Sequence, residues 1–245
     1  MIMDMDIKIF DRVEKKYLIT AEQRDSIVKA LRKYMQEDKY HTSTVFNVYF
    51  DTDNFDLIIK SMEKPEFKEK LRARSYGGYD KVFFEIKTKL KGKDMNYGYK
   101  RRVLVTHKDY DKFILHKNTM EELAAKKIEQ PSDLQIAKEV DYLVSQFDLK
   151  PKIIVYYDRT SFITKENLRV TFDENLSYRD RNLKFFRKSN DKHYFNDEKN
   201  IIMEIKANGV MPLWLVKILS ANKAYPRSFS KIGSVYATLR KEKHV

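Results

Sequence analysis

The sequence predicts an α+β fold: an eight-stranded antiparallel β-barrel tunnel with a basic lumen, covered by helices on its outside. Three observations lead there. Runs with period-two alternation recur about eight times, each with one apolar face and one face carrying Arg, Lys and a few Glu. These runs flank a helical stretch, without the regular strand–helix alternation of a parallel sheet. Eight strands are also enough to close a barrel.

The clearest run is 69–90, EKLRARSYGGYDKVFFEIKTKL, a hairpin folded at Gly77-Gly78-Tyr79-Asp80. Its first arm puts Lys70, Arg72, Arg74 and Tyr76 on one face and Leu71, Ala73 and Ser75 on the other. Its second arm puts Lys81, Glu85, Lys87 and Lys89 opposite Val82, Phe84, Ile86 and Leu90. For one hairpin alone, a solvated polar face is the commoner reason for such alternation.

The other elements follow in order. Residues 7–18 open with a strand in which Arg12, Glu14 and Lys16 alternate with Val13 and Tyr17. Thr20-Ala-Glu-Gln23 is a capping box before a helix bearing Ile27, Leu31 and Tyr34. Residues 44–51 form a strand ending in a turn at Asp51-Thr-Asp-Asn54, and 99–106 a strand with Lys100 and Arg102 on one face. A helical insertion covers about 107–150, with a second capping box at Thr119-Met-Glu-Glu122 and a helix that Pro131 opens and that runs to about Phe147. Strands resume at 154–163, 167–174, near 182–189 and at 201–208, with 190–200 a polar loop. Helices follow in 211–223 and from 231, the last capped by Ser230. With no internal repeat, 1–245 reads as a single domain.

Composition narrows the function. With 49 Lys and Arg against 36 Asp and Glu, the net charge of +13 points to a polyanionic partner. The absence of cysteine excludes disulfides, thiolate zinc sites and cysteine nucleophiles. The start has no signal-peptide pattern, and no apolar run approaches the ~18 residues of a membrane span. The expectation is a soluble cytoplasmic protein with no transmembrane segment.

The charged faces decide the topology. A solvated face mixes acids and bases. Here Arg72, Arg74, Lys87, Lys100, Arg159, Arg169 and Lys206 share their faces chiefly with Glu14, Glu85, Asp173 and Glu204. Such crowding of like charge is favourable only around a bound polyanion. All these cations are therefore expected to line one interior tunnel.

In order along the chain stand Arg12-Val-Glu-Lys-Lys16-Tyr, Leu71-Arg-Ala-Arg74, Phe84-Glu-Ile-Lys87, Tyr157-Asp-Arg-Thr-Ser-Phe162, Leu168-Arg-Val-Thr-Phe-Asp173, Met203-Glu-Ile-Lys206 and Phe229-Ser-Lys231. This series resembles the polyphosphate polymerase domain of the vacuolar transporter chaperone (VTC) type, within the CYTH-like or triphosphate tunnel metalloenzymes. No single motif is specific, but the ordered set spans about 8 to 240. The resemblance implies a metal-dependent, ATP-using enzyme that transfers the terminal phosphoryl group to a growing polyphosphate chain. It implies phosphate binding by Lys16, Arg72, Arg74, Lys87, Lys100, Arg159, Arg169, Lys206, Ser230 and Lys231. It implies a metal, Mn²⁺ or Mg²⁺, on Glu204, with Glu14 and Glu85 as further candidates. Catalysis would then rest on Lys16, Arg72, Arg74, Lys87, Arg159, Arg169 and Glu204. One departure stands out. Many tunnel hydrolases begin with E-x-E-x-K, whereas this chain has Arg12-Val-Glu14-Lys15-Lys16, which fits a polymerase better than a two-metal hydrolase.

Alternatives stay open on the residues alone. Solvated lysines are the lesser alternative for Lys16 and Lys231, and Glu85 reads as a cross-strand partner of Arg72 or Arg74 as readily as a metal ligand. The five histidines show no ligand spacing, and Trp214 reads as helix packing. A triphosphatase of the same fold, or a non-catalytic binder of polyphosphate, inositol phosphate or nucleic acid, are the rival functions. Nucleic acid is not expected, because Phe46, Phe84 and Phe172 point away from the cations. A membrane-protein partner is left open.

Overall fold

Val82, Phe84 and Ile86 occupy every second position of one run, and in the structure all three are buried, while Phe83 between them and Lys87 just after them stay partly open. The structure, a computed structural model, describes residues 12–63, 65–77, 80–92, 96–125, 131–185, 193–194 and 201–242. In chain order they form β1 (Arg12–Ile19), α1 (Ala21–Leu31), β2 (Gln36–Asp51), α2 (Asp56–Met62), β3 (Phe67–Tyr76), β4 (Val82–Lys91) and β5 (Asn96–Val105). There follow α3 (His107–Ile114), α4 (Met120–Ala124), α5 (Pro131–Phe147), β6 (Lys150–Ile163), β7 (Arg169–Arg179), β8 (His193–Tyr194), β9 (Ile201–Asn208), α6 (Leu213–Ala221) and α7 (Lys231–Glu242).

Hydrogen bonds join the strands in the order β1-β9-β7-β6-β2-β3-β4-β5, with β8 beside β7. The pairs β1–β9, β7–β9, β2–β3, β3–β4 and β4–β5 are antiparallel. The expected α+β class and the strand-rich antiparallel architecture are therefore present. Closure differs from the expectation. Among the described residues β1 and β5 end the order without pairing to each other, so hydrogen bonds do not close a barrel. The outer edge of β1 is occupied instead: Tyr17 bridges Pro226, and the Arg227 amide donates to the Lys16 carbonyl at 2.7 Å. A covered edge does not seek another strand.

Packing divides the chain into two compact units, the described parts of Met1–Thr42, Arg159–Glu174 and Asp197–Phe229, and those of Ser43–Asp158, Asn175–Asn196 and Ser230–Val245. In the first, the apolar faces of β1, β7 and β9 present Tyr17, Ile19, Val170, Phe172, Met203 and Ile205 to Ile27 and Leu31 of α1 and Leu215 and Leu219 of α6. Trp214 stacks on Tyr34 with centroids 4.4 Å apart, the helix-packing role expected for it. In the second, Leu71, Ala73, Phe84, Ile86, Val103 and Val105 form one core with Tyr110 and Phe113 of α3, Met120 and Leu123 of α4, and Ala137 and Val140 of α5. The helical segment expected over 107–150 thus lies on the apolar side of β3–β5.

Local signals explain most boundaries. Thr20 and Thr119 both form capping boxes, as their sequences predict, and Thr106 forms a third with Asp109. Ser230 accepts the Gly233 amide at the start of α7. Two boundaries moved. The strand expected at 44–51 begins at Gln36, and 182–185 is not a strand. There Asn182 takes a left-handed conformation (φ 50°), and the Arg179 guanidinium donates to the Lys184 carbonyl at 2.9 Å, closing a turn. Residues 186–192 and 195–200, over which the end of that strand and the polar loop were expected, lie outside the described residues, as do 1–11.

The turn expected at Asp51–Asn54 does more than turn. Fully buried Asp51 accepts the amides of Thr52, Leu57 and Ile58 at 2.8, 2.9 and 2.9 Å, satisfying the first turn of α2 from the end of β2. Asp51→Ala leaves these amides without their acceptor, that of Ile58 in a buried position. It should lower stability by about 2–3 kcal/mol, read as a fall in the urea midpoint at unchanged slope.

Candidate functional site

The register of β2–β5 assembles the second unit's charged face row by row. Asn47 of β2 faces Arg74 of β3, which faces Phe83 of β4. Tyr49 faces Arg72, which faces Glu85, which faces Arg102 of β5. Next come Lys70, Lys87 and Lys100, then Lys68 and Lys89.

Glu85 is the anchor of this face. It is 2% exposed, and its Oε2 takes both the Arg72 Nε, at 2.7 Å, and the Arg72 terminal nitrogen, at 2.6 Å. Lys100 Nζ lies 3.5 Å from Oε1, and Arg74 Nε 4.0 Å from Oε2. Burial raises the acid's pKa, but the charges of Arg72, Arg74 and Lys100 outweigh it and bring it to about 2. Burial likewise works against the Arg72 charge, and Glu85 more than offsets it, so Arg72 sits above its ordinary value. Lys100 is pushed below its ordinary value by burial, with Arg102, Arg74 and Arg72 adding to the push. Arg74 has a second restraint, since its Nε donates to the side-chain amide oxygen of Asn47 at 2.8 Å. Between the two readings of Glu85, the geometry supports the ion pair.

Lys231 and Ser230 lie at the start of α7 in the same unit. The Lys231 ammonium sits 4.6 Å from the centre of the Tyr157 ring, a cation–π contact.

The first unit carries its own charged face. Lys16 of β1 faces Glu204 of β9, which faces Thr171 of β7. Glu14 faces Lys206, which faces Arg169. Lys206 Nζ lies 2.8 Å from Glu204 Oε1 and Lys16 Nζ 3.5 Å from Glu14 Oε1. Lys16 also donates to the Phe229 carbonyl at 3.1 Å. Arg159 holds fully buried Asp173 with both forks, at 2.7 and 2.8 Å, and Arg169 pairs with Asp38.

Metal ligands are scarce. Among the described residues no group of three or more Asp, Glu, His or Cys is placed to cage an ion. Glu85 is taken up by its cations. Glu204 has a different setting. Its register neighbour Thr171 has a buried hydroxyl oxygen without a hydrogen-bond partner, and Glu14 is diagonal to it on the same face. One or two carboxylates with a hydroxyl fit a hard divalent ion that keeps its waters and takes remaining ligands from phosphates.

The structure thus groups Arg72, Arg74, Glu85, Lys87 and Lys100 on one face, and Glu14, Lys16, Arg159, Arg169, Glu204 and Lys206 on the strands of the other unit. The Arg12 side chain lies outside the described residues. Asn47 and Asp38, which restrain Arg74 and Arg169, were not singled out from the sequence. Asn47 left a trace there, as the polar residue in VFNVYF, whereas Asp38 lies before the point where the strand was expected to begin.

An antiparallel sheet with helices on its apolar side and Arg and Lys held by buried carboxylates defines the class. The chain belongs to the VTC domain family, whose model matches residues 11–240. It is 30% identical over 158 residues to vacuolar transporter chaperone complex subunit 4 of Schizosaccharomyces pombe, covering 60% of this chain and 21% of that protein. It is 24% identical over 204 residues to the protein of the same name from Trypanosoma brucei brucei, covering 69% and 26%. The chain therefore spans about a fifth to a quarter of the curated relatives it matches. Among solved structures, a putative adenylyl cyclase from Hippeastrum, described as having a dominant triphosphatase activity, aligns with a TM-score of 0.54. That alignment covers 93% of this chain and 96% of the other at 15% identity, a likeness of fold.

The depressed pKa of Glu85 sets a pH window. Its stabilising contribution is fully present above its ordinary value of 4.5 and is lost as pH falls toward 2. Glu85→Gln leaves the Arg72 charge buried without its counter-ion. Urea unfolding at pH 7 should show the variant about 3 kcal/mol less stable, with the gap narrowing from pH 4.5 toward 2. A gap independent of pH would show that the pair does not hold this face.

Proposed function

We propose that the chain is an ATP-dependent polyphosphate polymerase domain, transferring the terminal phosphoryl group of ATP to the end of a polyphosphate chain. The observation that carries this reading is the VTC family match over 11–240, joined to cationic sheet faces whose arginines are already fixed by buried acids. Phosphoryl transfer asks little covalent chemistry of a protein. It needs in-line positioning and neutralisation of charge spreading over the equatorial oxygens.

The residues divide by what their chemistry allows. Arg72, Arg74, Arg159 and Arg169 offer planar forks, pre-set by Glu85, Asn47, Asp173 and Asp38, that match phosphate oxygens two at a time. Lys16, Lys87, Lys100, Lys206 and Lys231 supply point charges, and Ser230 a hydroxyl. In the transfer, a terminal oxygen of the acceptor chain forms a bond to the γ-phosphorus of ATP while the bond from that phosphorus to the β,γ-bridging oxygen breaks. ADP departs with the bridging oxygen, and the chain is one phosphate longer. Glu204, with Glu14 and the Thr171 hydroxyl, would hold Mn²⁺ or Mg²⁺, which supplies charge neutralisation at phosphate oxygens.

Among the described residues no helix is long and apolar enough to cross a membrane. The relatives named as subunits of a vacuolar transporter chaperone complex suggest that the domain works beside other subunits of such an assembly.

Incubation of the purified protein with ATP and Mn²⁺ or Mg²⁺ should yield ADP and long polyphosphate on a gel, faster with a short phosphate primer. Orthophosphate as the sole phosphate product would replace this reading with a triphosphatase. Glu204→Gln keeps size and removes charge, so it should abolish metal-dependent turnover while leaving the fold intact by circular dichroism. Arg74→Ala should weaken ATP binding by about 1.5–3 kcal/mol, measured calorimetrically.

A further inference from the structure

Helix α6 is apolar on its inner and its outer side. Leu215 and Leu219 enter the core of the first unit, with Met211, Trp214 and Ile218 packed partly against it. Leu213 and Val216, one turn apart, face outward at 77% and 44% exposure, and Val210, in the approach to the helix, is 93% exposed. Half-exposed Tyr34, just past α1, widens this patch through its stack on Trp214. Single exposed apolar side chains are ordinary, but a group of them around one helix end marks a contact surface. The backbone presents the group to solvent. Gly209 turns the chain out of β9 in a left-handed conformation (φ 77°), where an added Cβ would meet nothing within 4 Å.

The charges beside this patch have one sign. From Ala207 to Phe229 the chain carries Lys217, Lys223 and Arg227 and no Asp or Glu. Lys217 follows Leu213 by four residues and so shares its side of α6. Lys33 precedes Tyr34, and Lys223 stands just past the end of α6. These three lysines are exposed, and among the described residues none of them forms an ion pair. Glu37, three residues past Tyr34, is taken up by Arg32 at 3.9 Å, with His41 at 3.4 Å.

We infer that this patch is a docking surface for a lipid bilayer with anionic headgroups: Val210, Leu213 and Val216 dip into the interface, the Tyr34–Trp214 pair lies at headgroup level, and Lys33, Lys217 and Lys223 meet the lipid charges. The charge pattern selects this occupant. Cations without acids suit a surface that is negative throughout, and long lysine stems can follow the apolar tip while their ammonium groups stay in water. Tyrosine and tryptophan, apolar with one polar atom, are the side chains that favour this depth. The nine residues of α6 reach only about 13 Å, so the helix lies at the interface and does not span the bilayer's ~30 Å core. The surface belongs to the first unit alone and does not depend on the polymerase reading.

Trp214 is the chain's single tryptophan, so its fluorescence reports on this patch. The test mixes the purified chain with vesicles of phosphatidylcholine, alone or with about 30 mol % phosphatidylserine, at about 0.15 M salt. The wild type should sediment with the mixed vesicles about tenfold or more tightly than with phosphatidylcholine alone. Trp214 emission should shift to the blue and be quenched by lipids brominated near the headgroup end of their acyl chains. Val210→Gln/Leu213→Gln/Val216→Gln keeps every charge and should melt as the wild type does, since the three side chains are exposed. It should bind the mixed vesicles about tenfold or more weakly, without the blue shift. Sedimentation with no change in Trp214 emission, or a triple variant that binds as the wild type does, puts the contact on another cationic surface and overturns the inference. Binding to neither kind of vesicle overturns it in favour of a protein partner for the patch.

Discussion

Repulsion among cations crowded on one side of a sheet is the constraint on which the rest of this structure depends. A period-two sequence can place Arg and Lys on alternate positions of every strand, but it then sets them beside one another at strand spacing. The fold answers with a few acids put out of water. Glu85 is 2% exposed and Asp173 fully buried, each held by an arginine fork, and Glu204 is 7% exposed beside Lys206. In that setting a carboxylate is held charged and cannot be given up without leaving an arginine stranded.

The apolar sides show the complementary half of the same logic. Every residue spent on a charged face has a neighbour on the opposite face, and these neighbours build two cores. Phe84, Ile86 and Val103 meet α3 and α5 in one unit, and Phe172, Met203 and Ile205 meet α1 and α6 in the other. The helices are what allows the sheet to commit an entire face to charge, since they remove the other face from water. The helical segment between β5 and β6 is thus a requirement of the charged face and not an ornament to it.

Much of this was legible in the sequence because period-two patterning is a local property. The hairpin 69–90 reports its own faces, and so do 201–208 and 167–174, which is why Arg72, Glu85, Arg169 and Glu204 could be singled out by alternation alone. Three things were not local. The N-terminal half of β2, QEDKYHTS, has no apolar face of its own, so Asp38 went unseen. The short helix α2 depends on the buried carboxylate of Asp51, and a sequence reader sees only polar turn residues there. The cover on the outer edge of β1 comes from a distant segment. Tyr17 bridging Pro226, far away in sequence, is not a pattern that alternation can show.

The choice between arginine and lysine carries the last step. In both units the arginines are tied to a specific oxygen: Arg72 to Glu85, Arg74 to Asn47, Arg159 to Asp173, Arg169 to Asp38. A tied guanidinium loses little further freedom when an anion arrives, so its geometry is set before binding. Lys100 and Lys16 are held more loosely. Lys100 is shared at 3.5 Å, and Lys16 rests on a carbonyl and a half-exposed acid. Fixed forks define where one phosphate must sit, while loose ammoniums define only a region where negative charge is welcome. The polymerase activity proposed for this domain would draw on both kinds of grip. The register of β3, β4 and β5 puts them at opposite ends of one face.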